Sequence, residues 1–281
     1  MILLDGRKVS KERNKDLKDV IAKYTENNRN PKLSIVLIGN DPASESYVKG
    51  KLKACKAVGI IDDLHRLNDD VSENEVIELI KKLNNDDSVD GIILQLPVPK
   101  HLNSGMLINL ISENKDADGF HVINQGNLYQ KRQTIKPATP KGIMTLLEYY
   151  DINIRGLNVC MIGRSNIVGF PAAKLLLDAG ATITICHLAT KDLAYHTRQA
   201  DLIVASAGVA HLVKRDMVKE GAIIVDVGVN KLDDKLVGDV DFENVKDLVS
   251  YISPVPGGVG PMTINALLEN TVELYERHIK K

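Results

Sequence analysis

Six short apolar runs, each four to six residues long, alternate along the chain with segments of helical periodicity. They lie at 33–38 (LSIVLI), 91–96 (GIILQL), 157–162, 182–186, 202–205 and 222–227. Runs that are apolar at nearly every position, rather than every second one, belong to strands buried on both faces. Joining such strands in parallel needs crossover helices, so the pattern predicts a doubly wound α/β fold. Helices are expected at 5–28, 44–58, 71–83, 141–150 and 171–179, with Ser72 and Glu75 forming a capping box for the third. A final helix at 263–281 could pack on either domain. Pro137 and Pro140 limit helix continuation and set a domain joint there.

At roughly 100–200 residues per domain, 281 residues suit two domains or one large one. Lysine and arginine number 36 against 37 acidic residues, a net charge of −1. That balance excludes a general nucleic-acid or acidic-membrane binder, which carries a basic excess. Cys55, Cys160 and Cys186 are an odd set without a CxxC pair, which suits a reducing cytosol and small buried hydrophobes. No run of 18 apolar residues exists, and the opening MILLDG lacks the layout of a signal peptide. A cytoplasmic protein with no membrane or nucleic-acid partner is therefore expected. The seven histidines form no HExxH or other close ligand pair, so no metal is expected.

The residues Gly163, Arg164, Ser165, Asn166, Ile167, Val168 and Gly169 follow the run at 157–162 directly, and Pro171 opens the next helix. A glycine at the strand end permits a tight turn, small residues let the backbone approach a pyrophosphate, and a helix N-terminus offers N–H groups and partial positive charge. Ser165 stands where the usual fingerprint has its middle glycine, so an ordinary strand–turn–helix connection is the competing reading. An NAD site places Asp or Glu about 20 residues further on for the ribose 2′-hydroxyl. Here the second strand ends in Cys186, His187, Leu188 and Ala189, with no carboxylate. Arg164, inside the loop, is suited to a 2′-phosphate, which selects NADP over NAD. Gly208 and the segment Asp226, Val227, Gly228, Val229 and Asn230 end later strands and are candidate walls of a nicotinamide pocket, or plain turns.

Tyr47 and Lys51 stand four apart on the second helix and share one face. A solvated face is the simpler reading. Gln95, Leu96 and Pro97 at a strand end, and Lys115, Asp116, Ala117, Asp118, Gly119 and Phe120 in a loop, raise its interest, because α/β sheets carry their chemistry at such ends.

Together these blocks resemble the bifunctional methylenetetrahydrofolate dehydrogenase/methenyltetrahydrofolate cyclohydrolase family, of the bacterial FolD type. The matching segments are SESYVKGK at 44–51, QLPVP at 95–99, KDADGF at 115–120, GRSNIVG at 163–169 and PVPGGVGPMT at 254–263. They occur in the family's order and span nearly the whole chain. The resemblance implies a folate-binding catalytic domain (1–138 plus 262–281), a Rossmann-like NADP domain (139–261) and an active-site cleft between them. It implies hydride transfer from methylenetetrahydrofolate to NADP⁺, followed by hydrolysis of the methenyl product to 10-formyltetrahydrofolate. It makes Lys51 the general acid/base of the hydrolytic step and has Gln95 hydrogen-bond and tune it. Tyr47 would pack on and orient the folate, with Asp118 binding the pterin. Leu96, Pro97, Pro256, Gly257 and Gly258 would line the substrate site, and a homodimer is implied.

The chain departs from the family pattern in three places. Ala138 replaces the cysteine of a common Pro-Cys-Thr-Pro, which makes a covalent thiol step less suited to this protein. Leu188 stands where Ser or Arg often follows the histidine, and Phe170 stands at a position often basic, so NADP selection rests mainly on Arg164. The rival readings are a monofunctional dehydrogenase using NAD or NADP and a non-catalytic folate or nucleotide module. The presence of Tyr47, Lys51 and Gln95 favours two activities.

Overall fold

The computed structural model describes residues 1–280. The elements begin with β1 (Ile2–Leu3), α1 (Gly6–Asn27), β2 (Lys32–Ile38), α2 (Pro42–Val58), β3 (Ile61–Leu67), α3 (Glu73–Asn84) and β4 (Gly91–Leu94). Next come α4 (Ser104–Leu110), α5 (Val122–Tyr129), α6 (Ala138–Tyr149), β5 (Asn158–Ile162), α7 (Gly169–Asp178), β6 (Thr182–Cys186) and α8 (Leu193–Thr197). The chain closes with β7 (Leu202–Ala205), β8 (Ile223–Asp226), β9 (Asn230–Leu232), β10 (Lys235–Val237), α9 (Phe242–Val245), β11 (Tyr251–Ile252) and α10 (Val259–Ile279). The parallel α/β class expected from the apolar runs is the one observed. No helix among the described residues is long and apolar enough to cross a membrane.

Two compact units form. One comprises Glu12–Ala138 and the chain from Ile264 onward, around a parallel sheet ordered β3-β2-β4. Alternation along β2 divides its side chains between two cores: Leu33, Ile35 and Leu37 pack with α2 and α10, whereas Val36 and Ile38 pack with α3 and α4. Asp41 caps α2 by accepting from the Ser44 N–H at 2.8 Å, with Pro42 in the first turn. Ser72 and Glu75 make the capping box on α3. Asp90, buried between strand starts, accepts from Arg29 at 2.6 and 2.7 Å and from the Lys32 N–H at 2.8 Å. His278 Nδ1 lies 3.0 Å from the same carboxylate, which ties the end of α10 to this sheet.

The other unit comprises Met1–Lys11 and Thr139–Thr263, around a six-stranded parallel sheet ordered β1-β11-β8-β7-β5-β6. Val159, Met161, Val204 and Val225 face one core, and Cys160, Ile162, Ile203 and Ile224 the other, so both faces are covered. The first strand joins this sheet at its edge, pairing with β11 through Ile2–Tyr251 and Leu3–Ile252. Leu4 and Val9 then enter the core beside α6 and α7.

Two helices start earlier than the prolines suggest. α6 begins at Ala138 and α10 at Val259, with Pro140 and Pro261 inside their first turns. First-turn N–H groups have no intrahelical partner, so proline costs nothing there. The final helix belongs to both units, dividing after Thr263. The strand β3 (IDDLHRL) has no counterpart in the apolar pattern, because it is a charged sheet edge.

Candidate active site

In the first unit the chain passes from β2 to β3 on one side and to β4 on the other, which creates a switch point at the carboxyl ends of β2 and β4. The candidate residues collect there. Gln95 continues β4, its N–H donating to the Val36 carbonyl at 2.9 Å. The segment carrying Asp118 runs beside β4 through a parallel bridge between Ile92 and Asp116.

Lys51 occupies a position in the buried stripe of α2, among Val48, Cys55 and Val58, where an apolar side chain would be the default. It is 4% exposed, and its Nζ donates to Gln95 Oε1 at 3.0 Å. The ammonium lies 5.1 Å from the Tyr47 ring centroid, so the two residues do share a face and touch. Burial pushes the Lys51 amine below the usual lysine range, and the Asp118 carboxylate opposes that shift. Asp118, half-buried, is pushed up to about 6 by desolvation, with Lys51 pulling it down and Asp116 pushing it up. Gln95 Nε2 donates to the Leu96 carbonyl at 2.7 Å, which fixes the amide so that its oxygen faces the amine. Half-buried Leu96 precedes exposed Pro97, and the bond between them is cis.

Two members of the KDADGF block are scaffold. Lys115 Nζ donates to the carbonyls of Leu83 at 3.1 Å and Asp86 at 2.7 Å. Asp116, 2% exposed, accepts from the Gly119 N–H at 3.0 Å, the His121 N–H at 2.8 Å and Asn124 Nδ2 at 2.9 Å. The loop presenting Asp118 is thereby anchored from beneath.

In the second unit the switch point lies between β5, whose neighbour β6 is on one side, and β7 on the other. The loop from Gly163 to Gly169 leaves β5 at this point. Gly163 has φ +116°, and a Cβ there would sit 2.5 Å from the Ser206 carbonyl oxygen. At Gly169 a Cβ would sit 2.4 Å from the Gly163 oxygen, so the turn closes backbone on backbone. Ser165 supplies what the absent middle glycine would not: its Oγ accepts from the Val168 N–H at 3.1 Å and the Gly169 N–H at 3.3 Å. These N–H groups are thus satisfied within the loop by the Ser165 hydroxyl oxygen. Arg164 is exposed and, among the described residues, has no ion-pair partner. Ile167 and Val168 are half-buried, and Leu188, at the end of β6, is fully exposed.

Gly208 and Val229 are exposed at the ends of β7 and β8. In PVPGG, Pro256 is exposed, Gly257 and Gly258 are buried, and Val255–Pro256 is cis. The Arg7 N–H donates to the Gly257 carbonyl at 3.1 Å. Sequence patterns did not single out Asp239, which accepts hydrogen bonds from the backbone around Gly208; the Gly-Asp pair after the β9–β10 hairpin is its one local signal.

The arrangement offers a hydrogen-bonded, desolvated amine beside a carboxylate in one unit and a glycine-tight phosphate-type loop in the other. A family model described as tetrahydrofolate dehydrogenase/cyclohydrolase, catalytic domain, matches residues 4–118. A second, described as the NAD(P)-binding domain of the same family, matches residues 137–279. The "Bifunctional protein FolD" of Acholeplasma laidlawii is 52% identical over 100% of both chains. The crystal structure of the Campylobacter jejuni bifunctional enzyme FolD, methylenetetrahydrofolate dehydrogenase/cyclohydrolase, superposes with a TM-score of 0.97 at 49% identity, covering 99% of each chain. The Trypanosoma brucei dehydrogenase-cyclohydrolase, solved with NADP cofactor and inhibitor, gives 0.97 at 34% identity over 100% of this chain and 99% of that one.

Proposed function

This chain belongs to the tetrahydrofolate dehydrogenase/cyclohydrolase family, and from that premise we propose how its residues divide two consecutive reactions on one folate. The protein is a bifunctional one-carbon folate enzyme. It oxidises 5,10-methylenetetrahydrofolate to the 5,10-methenyl cation with NADP, then hydrolyses that cation to 10-formyltetrahydrofolate.

The observation that carries the assignment of roles is the buried Lys51 amine, donating to a neutral amide within an otherwise apolar stripe. Water adding to the methenyl carbon must lose a proton, and the nitrogen that departs as the ring opens must gain one. An amine held below its ordinary basicity can do both, whereas a fully protonated lysine cannot accept. Gln95 positions Nζ without a charge that would restore the ammonium. Tyr47 offers its ring to the folate, and Asp118 offers acceptors to the donor-rich aminopyrimidine edge. Leu96, Pro97, Pro256, Gly257 and Gly258 supply further substrate contacts. Ala138, buried at the start of α6, provides no thiol, so this position offers no nucleophile for a covalent step.

The closely closed loop after β5 is shaped for a dinucleotide pyrophosphate, since Gly163 and Gly169 let the backbone fold tightly against Ser206 and onto itself, where any Cβ would collide. Gly163, Ser165, Ile167, Val168 and Gly169 would hold the phosphates, Arg164 the 2′-phosphate, and Gly208 and Val229 the nicotinamide. NADP supplies the hydride acceptor when bound. The protein's part in that step is orientation, which accounts for a dehydrogenase half without its own acid or base. A steady-state assay with methylenetetrahydrofolate, run with NADP⁺ and with NAD⁺ and following both products, tests the whole reading. NADPH accumulating together with 10-formyltetrahydrofolate is expected. NADPH with no formyl product would leave a monofunctional dehydrogenase.

The protein acts as a homodimer. The outer edge of β3 presents seven residues of backbone with no strand paired against it among the described residues, a surface suited to self-association about a twofold axis. Light scattering at working concentration should return twice the chain mass; a monomer mass would reject this. Three free, buried cysteines suit the reducing cytoplasm.

A further inference from the structure

Two carboxylates are sealed at the ends of β7 and β8. Asp239 is 0% exposed and Asp226 is 3% exposed. Asp239 Oδ2 accepts from the N–H groups of Ala207 at 2.6 Å and Gly208 at 3.0 Å. Its Oδ1 accepts from the Val209 N–H at 2.9 Å and from Asn230 Nδ2 at 3.0 Å. Four donors converge on one anion, three of them consecutive backbone amides of a turn whose residues are themselves exposed. Asp226 holds the residue that holds the turn: it accepts from the N–H groups of Asp239 at 3.0 Å, Val240 at 2.9 Å and Gly228 at 3.0 Å.

The two acids pack against reciprocal glycines. A Cβ at Gly228 would lie 2.1 Å from Asp239 Oδ1, and a Cβ at Gly238 would lie 1.8 Å from Asp226 Oδ2. The hairpin β9–β10 brings Gly238 and Asp239 back against the strand end they left. Three segments distant in sequence are thereby locked together: the turn after β7, the segment after β8, and the strand-like return at Val240, which bridges Val213.

We propose that Asp239, held in place by Asp226, is the positioning residue that sets the 207–209 turn and the Val229–Asn230 segment as the cofactor-facing wall of this unit. The inference rests on the reading of Gly208 and Val229 as nicotinamide contacts and assigns the device that shapes them. Loss of the carboxylate geometry releases three amides at once and lets the wall move. Asparagine at 239 is no substitute, because its NH₂ would face at least one backbone N–H donor whichever way the amide is turned.

The experiment compares Asp239→Asn with wild type in both reactions and in NADPH binding by fluorescence titration. The KM for NADP⁺ and the NADPH Kd are expected to rise about five- to tenfold, as for losing one or two hydrogen bonds. Hydrolysis of methenyltetrahydrofolate, which consumes no cofactor, should stay within about twofold. Unchanged NADP⁺ parameters would overturn the role of Asp239, and so would equal losses in both reactions, the mark of general unfolding. A wild-type protein that fails to bind NADPH would instead sink the functional reading beneath it. If the variant does not fold, amide hydrogen exchange on the wild type decides. Ala207, Gly208 and Val209 should exchange slowly despite their surface position, and exchange at unprotected rates would overturn the proposal.

Discussion

Lys51→Met should slow hydrolysis of methenyltetrahydrofolate by roughly 10²- to 10⁴-fold, the range that a positioned acid/base contributes, while part of the hydride transfer survives. The split follows from the chemistry, since the hydrolytic step moves two protons and the oxidative step moves none through the protein. Methionine keeps the length and apolar bulk of the stem, so the variant should fold with a Tm near that of wild type. The sign of the charge effect agrees. A lysine whose folded pKa lies below its unfolded value costs stability as pH falls from the unfolded value towards the folded one, and below that the cost is constant. Methionine removes this cost at neutral pH, offsetting the hydrogen bond lost from Gln95. Stopped-flow loss of methenyltetrahydrofolate absorbance measures the effect, and hydrolysis at the wild-type rate would remove Lys51 from its role. In the wild type, Asp118 takes up a proton as pH falls through about 6, so substrate affinity should weaken below that value.

Arg164→Ala should raise the KM for NADP⁺ roughly 10- to 100-fold, the equivalent of about 1.5–3 kcal/mol for hydrogen bonds to a charged group, with the KM for NAD⁺ little changed. Arg164 is exposed, so the lower part of that range applies at high ionic strength, where screening weakens the pair. Fully exposed Leu188 offers the 2′-phosphate neither charge nor hydrogen bond, which concentrates the selectivity on Arg164. Equal losses with both dinucleotides would mean that Arg164 shapes the loop rather than reading the phosphate. Introducing arginine at Leu188 in the Arg164→Ala background offers a direct check, because a second guanidinium there should restore part of the preference.

Much of the molecule is legible in local chemistry. Consecutive β-branched and aliphatic residues mark the interior strands β2, β5, β7 and β8 because both faces of a parallel sheet must be covered, and they mark the short, fully buried edge strand β4 as well. Ser72 and Glu75 announce a helix start through interactions that reach only three residues, and the positive φ of the glycine at the end of β5 is likewise a local property. The edge strand Ile61–Leu67 escapes such patterns, since one side of it needs no apolar cover and its charges discourage unwanted pairing. Strand β1, two residues long, is a strand solely because β11 lies beside it.

Residue types along the chain thus suffice for the α/β class and for the strand–turn–helix pattern of the phosphate-type loop, which depend on neighbours a few positions away. Tyr47, Lys51, Gln95 and Asp118, by contrast, stand out only through the resemblance of whole blocks to a family. Tertiary packing alone creates their properties. Lys51 loses basicity because the surrounding core takes water from it, while Gln95, 44 positions distant, holds the amine in place. Asp239 acquires its function from a turn about 30 positions earlier in the chain. Desolvation and converging hydrogen bonds are sums over contacts that a linear order of residues does not contain.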